Sequence, residues 1–394
     1  MSNNNHTGLW KKLLCGSLFL ILSSQLTTLN SQTLWERFTN WLTSPRNVDS
    51  TYIYQQSMGF SPSLTFNISR QSVRLSTTET IEDMPYIDGN FNAVLDEFGD
   101  TMFVDLLLSV IDKIEESISS RVGFNLSYGR LGAGWSFELA PDSSQRSSTF
   151  LFSFHGNQFG LNINYLGFSQ KMTEDVRWLP QGIFGLTDSY DTIPTGNRVR
   201  RLTVDGYYVI NPRRFAYPPG IAGNMIQLRS AGSWMLAGRF LQSDLNLDNY
   251  IARFGMSQLS LGVGYSYTWV PFSRTPRYAN NQSDNHFSFF INGTIIPMLT
   301  VYNHLTVEPD QEMAELFDSG EKGSFCWPTP NILANATIGI SWSKFYLGAQ
   351  FNYNVFHFNT RNAISSNNPL QNSGIETMGV FYEWNLGFKF QACF

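Results

Sequence analysis

The last fifteen residues of the chain constrain its fold most. From Val380 onward the even positions are Val380, Tyr382, Trp384, Leu386, Phe388, Phe390, Ala392 and Phe394. Glu383, Asn385, Gly387, Lys389, Gln391 and Cys393 stand between them. Alternation with period two is the signature of a β-strand, whose successive side chains point to opposite faces. A soluble antiparallel sheet can also carry one apolar face, but soluble strands usually run about 5–6 residues.

The same alternation recurs upstream. It is read at Phe345–Val355, Asn335–Trp342, Leu259–Trp269 and Leu131–Leu139. Shorter matches lie at Val122–Tyr128, Phe150–Phe154, Phe159–Tyr165, Leu202–Tyr208, Trp234–Phe240 and Phe287–Ile295, with a first strand near Ser63–Leu75. Several of these reach the roughly 9–11 residues that a tilted strand needs to cross a bilayer. Aromatic residues such as Tyr128, Trp269, Trp342 and Phe345 crowd the strand ends, as interfacial girdles do. The expected fold is all-β: a transmembrane antiparallel up-and-down β-barrel of about 12 strands, with a range of about 10 to 14. A terminal strand that ends on an aromatic residue is the assembly signal of outer-membrane barrels. Trp384, Phe388, Phe390 and Phe394 are the residues that would carry it to the barrel-assembly machinery.

Composition agrees and excludes alternatives. Charged residues are 14% of the chain, against about 25% in an ordinary soluble protein. Aromatic residues are 15%, which excludes disorder. The net charge of −5 and the scattered basic residues exclude a nucleic-acid partner. Mean hydropathy is −0.18, and outside the N-terminus no apolar run approaches the roughly 18 residues of a membrane helix.

Residues 1–31 read as a secretory signal, with Lys11 and Lys12 ahead of the apolar run Leu13–Leu22 and cleavage after Ser24 or Ser31. Outer-membrane lipid is then the expected surrounding, reached by export through the inner membrane. Residues 32–52 place Trp35, Phe38, Trp41 and Leu42 at helical spacing, as a periplasmic or interfacial helix would, or a plug or cap folded against the lumen. Residues 53–394 are the barrel. Thr101–Ser119 carries Val104, Leu107, Leu108, Ile111, Ile114 and Ile118 at three-to-four spacing, so part of the first outer loop is expected to be helical.

Connection lengths test this topology, because turns after even-numbered strands should be short and periplasmic. Gly129–Arg130, His155–Gln158 and Ser343–Lys344 obey the rule, and the connections 76–115, 169–198, 307–332 and 360–374 are long, as outer loops are. The segments 210–231 and 273–284 are even-numbered yet long. The topology sets Cys326 and Cys393 a bilayer apart, which forbids a disulfide.

A family resemblance rests on particular runs. Arg200–Pro212 (RRLTVDGYYVINP) and Arg229–Gly238 (RSAGSWMLAG), followed by Leu261–Tyr265, resemble the strand-and-loop signature of a family of uncharacterised outer-membrane β-barrels of Bacteroidota. Asp49–Ile53 (DSTYI) is similar to that family's start. The resemblance implies fold and location; the family is a domain of unknown function and brings no catalytic residues.

The chemistry points to the lumen. No His, Cys or acidic residues stand at metal-ligand spacing, no nucleotide motif is present, and no cofactor is expected. Ser153 with His155, and Asn354 with His357, are near in sequence, which is not triad geometry; an outer-rim hydrolase ranks last and no enzyme is expected. The predicted lumen face is Gly, Ser, Asn and Thr with the charges Glu138, Asp205, Arg239, Glu383 and Lys389. Glu383 and Lys389 stand about 20 Å apart along one strand face and need partners on other strands. Such a lining suits a passive or weakly selective channel for small solutes. It also suits a closed structural barrel acting with partners in a surface complex.

Overall fold

The computed structural model describes residues 36–41, 47–55, 59–85, 103–115, 119–139, 148–156, 158–180, 189–217, 225–247, 251–274, 286–309, 320–324, 329–342, 344–359 and 376–393. Its first eight strands are β1 (Ile53–Gln55), β2 (Phe60–Pro85), β3 (Phe103–Glu115), β4 (Ser119–Tyr128), β5 (Leu131–Glu138), β6 (Ser148–His155), β7 (Phe159–Pro180) and β8 (Ser189–Val209). The rest are β9 (Met225–Gln227), β10 (Ala231–Leu247), β11 (Ile251–Arg274), β12 (Phe287–Pro309), β13 (Gly320–Ser324), β14 (Pro330–Trp342), β15 (Phe345–Asn359) and β16 (Glu376–Ala392). Residues 36–41 form a short helix, in a unit separate from the one that begins at Asn47.

Twelve strands close an antiparallel barrel in the order β2-β4-β5-β6-β7-β8-β10-β11-β12-β14-β15-β16. The terminal strand β16 returns to β2, from Gln391 opposite Ser63 to Glu376 opposite Thr78. Closure leaves the barrel wall no unpaired sheet edge, the condition for a sheet to stand in hydrocarbon. The sequence dictates the inside and outside faces. In β11, Leu261, Val263 and Trp269 are each 52% exposed, while Ser260, Ser266 and Thr268 between them are buried. The apolar set faces out and the small polar set faces in, so the lipid-facing surface is the apolar one. Trp384, Phe388 and Phe390 lie on the corresponding row of β16; Phe394 lies outside the described residues.

Placing a charge on this outer row tests the membrane assignment. Val263→Arg, midway along the exposed row of β11, is expected to lower stability by about 2–4 kcal/mol in a bilayer. Urea unfolding in lipid vesicles reads this, and an unchanged midpoint would remove Val263 from the lipid.

Several strands outrun the bilayer. β2 has 26 residues, β7 has 22, β8 has 21, β11 has 24 and β12 has 23. Much of what the sequence reads as outer loop is therefore strand: residues 76–85, 169–180 and 189–198 continue their hairpins beyond the wall. The helix expected within 101–119 is not formed. Residues 103–115 are the strand β3, which pairs with β2 from Ser72↔Glu115 to Pro85↔Phe103 and with β7 from Lys113↔Thr173 to Leu106↔Pro180. A short apolar run fits both periods; here two strand extensions present unpaired ladders, and the run, rich in Val and Ile, joins them.

β3 and β4 are nearly one strand against β2, since Ser69 faces Ser119 and Ser72 faces Glu115. The short β5–β6 hairpin sits beneath the level at which β3 meets β7. At the opposite end the β4–β5 turn is two residues long, and Gly129 takes φ 60°, which the tight hairpin requires.

Candidate functional site

Of the two even-numbered connections that are too long for turns, 210–231 explains itself at this turn end, while residues 275–285 of the other lie outside the described residues. The segment after β8 folds into the barrel mouth. Phe215 and Ala216 are fully buried. Phe215 packs on Tyr207, Val209 and Met235, which are the inward-facing residues of β8 and β10. Tyr217 reaches further in, its ring at 4.8 Å and edge-on to Tyr207. Burial pushes the Tyr217 hydroxyl up to about 12, so it stays a protonated donor.

Gln227 holds this plug together. Its side chain is fully buried. Nε2 donates to the carbonyls of Arg214 and Arg229, both at 2.8 Å, and of Tyr52 at 3.3 Å. Oε1 accepts the Ala216 amide at 3.0 Å. Around it, Ser273 donates to the Leu228 carbonyl at 2.7 Å and Ser288 to that of Gln227 at 2.5 Å. Those two serines belong to β11 and β12, so the plug is fastened to the wall.

The N-terminal segment clamps the plug from the same side. β1 pairs with β9, Ile53 opposite Gln227. Ile53, Ala216 and Met225 form a small core with Val48 and Tyr52 against it. The Asp49 amide donates to the Arg213 carbonyl at 2.8 Å, and the Asp49 carboxylate lies 3.5 Å from Arg214. Hydrogen bonds from Thr51 first, then the charges of Arg214 and Arg229, hold that carboxyl below the usual carboxylate range. Both arginines also lie over the Tyr52 ring, at 5.2 and 5.9 Å. The runs at 49–53, 200–212 and 229–238 that carried the family resemblance therefore meet in one cluster.

Above the plug the lumen is crossed by side chains. Arg201 of β8 donates to Glu383 of β16 at 2.8 Å. These strands are six steps apart either way round the twelve-stranded wall, so the ion pair joins opposite sides. Arg239 of β10 forms a bidentate pair with Asp205 of β8, with Nη2 to Oδ2 at 2.9 Å. The Arg239 guanidinium also lies 4.9 Å from the centre of the Phe356 ring on β15. Elsewhere the rings of Phe290 and Tyr346 stack 6.2 Å apart. Gly339 makes room for them, because a Cβ there would stand 2.6 Å from Phe290. A buried cluster of Gln258, Ser260, Thr300 and Asn331 closes another sector, with Gln258 donating to the His357 carbonyl at 2.8 Å.

A cavity of about 370 Å³ remains, lined by Arg121, Arg201, Asp205, Arg239, Glu383 and Lys389 together with Asn67, Asn125, Asn162, Asn164, Asn335, Asn352, Asn354 and Asn385. Four of the five charges read from the sequence thus line one chamber. Glu138 is not in its lining; it stands on the register position opposite Arg121. Arg121 and Arg201 were missed. Both share strand parity with lumen residues, Arg121 with Asn125 and Arg201 with Asp205. Each stands one residue ahead of the strand read from the sequence, Val122–Tyr128 or Leu202–Tyr208.

The suggested hydrolytic pairs are differently engaged. The His155 ring meets the Tyr207 hydroxyl at 3.1 Å near the turn end. The His357 ring meets the Pro330 carbonyl at 2.8 Å, and Asn354 turns to Glu383 at 3.4 Å. Cys393 is buried, and Cys326 lies outside the described residues. Among the described residues, no three of His, Cys, Asp or Glu converge on a metal position.

A closed twelve-stranded wall with an apolar outside and a polar, largely filled inside defines a β-barrel of the outer-membrane type. The chain belongs to the family described as a domain of unknown function, DUF4421, whose model matches residues 113–377. No curated protein matches the chain. Among solved structures it is similar to the beta domain of the Bordetella autotransporter BrkA, at 9% identity over 83% of this chain and 99% of that one, with a TM-score of 0.29. The translocator domain of the autotransporter NalP from Neisseria meningitidis matches at 10% identity over 91% and 96%, with a TM-score of 0.26. The P. putida toluene transporter TodX matches at 5% identity over 90% and 99%, with a TM-score of 0.23.

Proposed function

We propose that this is an outer-membrane barrel, exported through the inner membrane, that keeps its lumen closed and works through its two ends as an interaction barrel rather than as an open pore. It is read as a non-enzyme. The observation that carries this reading is the plug: Phe215, Ala216 and Gln227 are fully buried inside the turn-end mouth. A diffusion pore needs continuous water across the bilayer, whereas here apolar side chains fill that mouth. The ion pairs across the chamber act in the same sense, since buried charges persist where they are paired. Conduction would require Phe215, Ala216 and Gln227 to leave the mouth they fill.

Liposome swelling tests the reading. Vesicles carrying the folded protein are expected not to swell in arabinose, while vesicles with a general porin do. Swelling at porin rates would end the closed-barrel reading and restore the channel.

A further inference from the structure

We propose that the turn end of the barrel selects anionic phospholipids, with Arg213, Arg274 and Lys344 holding their headgroup phosphates. This rests on the outer-membrane reading of the chain, not on the closure of its lumen. Exposed aromatic side chains mark the depth at which this end sits. Tyr128, Phe272, Trp342 and Phe345 are exposed and stand where strands meet the turns. In membrane barrels such aromatics lie at headgroup level.

The cations stand beside this girdle. Lys344 lies in the two-residue turn between Trp342 and Phe345, whose rings are 5.7 Å apart. Arg274 ends β11, two residues after Phe272. Its neighbour Ser273 donates to the Leu228 carbonyl at 2.7 Å, which sets Arg274 beside the plug. Arg213 follows the exposed Ile210 where the chain leaves β8 for the mouth.

Charge at this end is one-sided. Across the described residues 47–55, 208–217, 225–230, 272–274 and 344–346, Asp49 is the one carboxylate, and Arg214 stands against it. Arg213, Arg274 and Lys344 are exposed and form no ion pair among the described residues. Arg229 adds a further positive charge over the Tyr52 ring. Each Lys or Arg held near an anionic lipid surface strengthens binding by about fivefold, and guanidinium matches phosphate in geometry as well as charge. An acidic protein would match the charge alone; the aromatic side chains beside the cations suit a lipid.

The test is native mass spectrometry of the folded full-length protein, incubated in detergent with equimolar phosphatidylglycerol and phosphatidylcholine of matched chains. The parent is expected to retain phosphatidylglycerol at least about fivefold over phosphatidylcholine. Arg213→Gln with Arg274→Gln and Lys344→Gln should bring that ratio to within about twofold of unity. Arg213→Lys with Arg274→Lys should keep the preference, because the charges remain. Should the triple variant not fold, Lys344→Gln alone carries the test, with the preference expected to fall by at least about twofold. Equal retention of the two lipids by the parent, or a preference that survives the Gln substitutions, would overturn the proposal and leave the basic rim to an acidic protein. Retention of neither lipid would overturn the membrane reading with it.

Discussion

Glu383→Leu alone is expected to destabilise the barrel by about 3–5 kcal/mol, the cost of leaving Arg201 buried without its partner. The two side chains are 7% and 17% exposed and meet at 2.8 Å, so solvent offers Arg201 little compensation. The double variant Arg201→Met with Glu383→Leu should recover most of the loss, because it removes both charges and leaves an apolar contact of similar size. Urea unfolding in lipid vesicles measures the cycle. A single variant as stable as the parent would mean that the pair does not span the lumen in the membrane. A double variant no better than the single would point to lost packing rather than lost pairing.

The second large effect is expected at Gln227. Gln227→Met keeps the side chain's length and its burial but removes four hydrogen bonds inside the plug. Each such bond is worth about 0.5–1.5 kcal/mol net, and a stranded buried amide about 1–3. A plug weakened by about 3 kcal/mol opens more than a hundredfold more often. Hydrogen exchange across residues 210–217 and 225–230 should rise accordingly, while the wall strands keep their protection. Unchanged exchange in that segment would show that the plug is held by Phe215 and its apolar neighbours, not by Gln227.

Much of the wall is legible in the sequence, because lipid outside and polar chamber inside force a strict alternation. The row from Val380 onward and the row Leu259–Trp269 follow it residue by residue. Three short turns fixed the direction of the chain. The plug was visible only as an anomaly: a connection on the short-turn side that is too long. Its inward path depends on Phe215 and Ala216 meeting Tyr207, Val209 and Met235, and no local period encodes that. The strand at 103–115 was misread for a related reason. Its conformation is set by the ladders of β2 and β7, which lie far from it in sequence. The partner of Glu383 was equally hidden. Arg201 lies 182 residues away, and only barrel closure brings the opposite walls together.

The most direct test of the closed lumen is single-channel conductance in a planar bilayer. The folded chain would be compared with a variant whose residues 212–229 are replaced by a short Gly/Ser connection. The account predicts silence from the intact chain and discrete conductance steps from the variant. Steady conductance by the intact chain, equal to that of the variant, would contradict it.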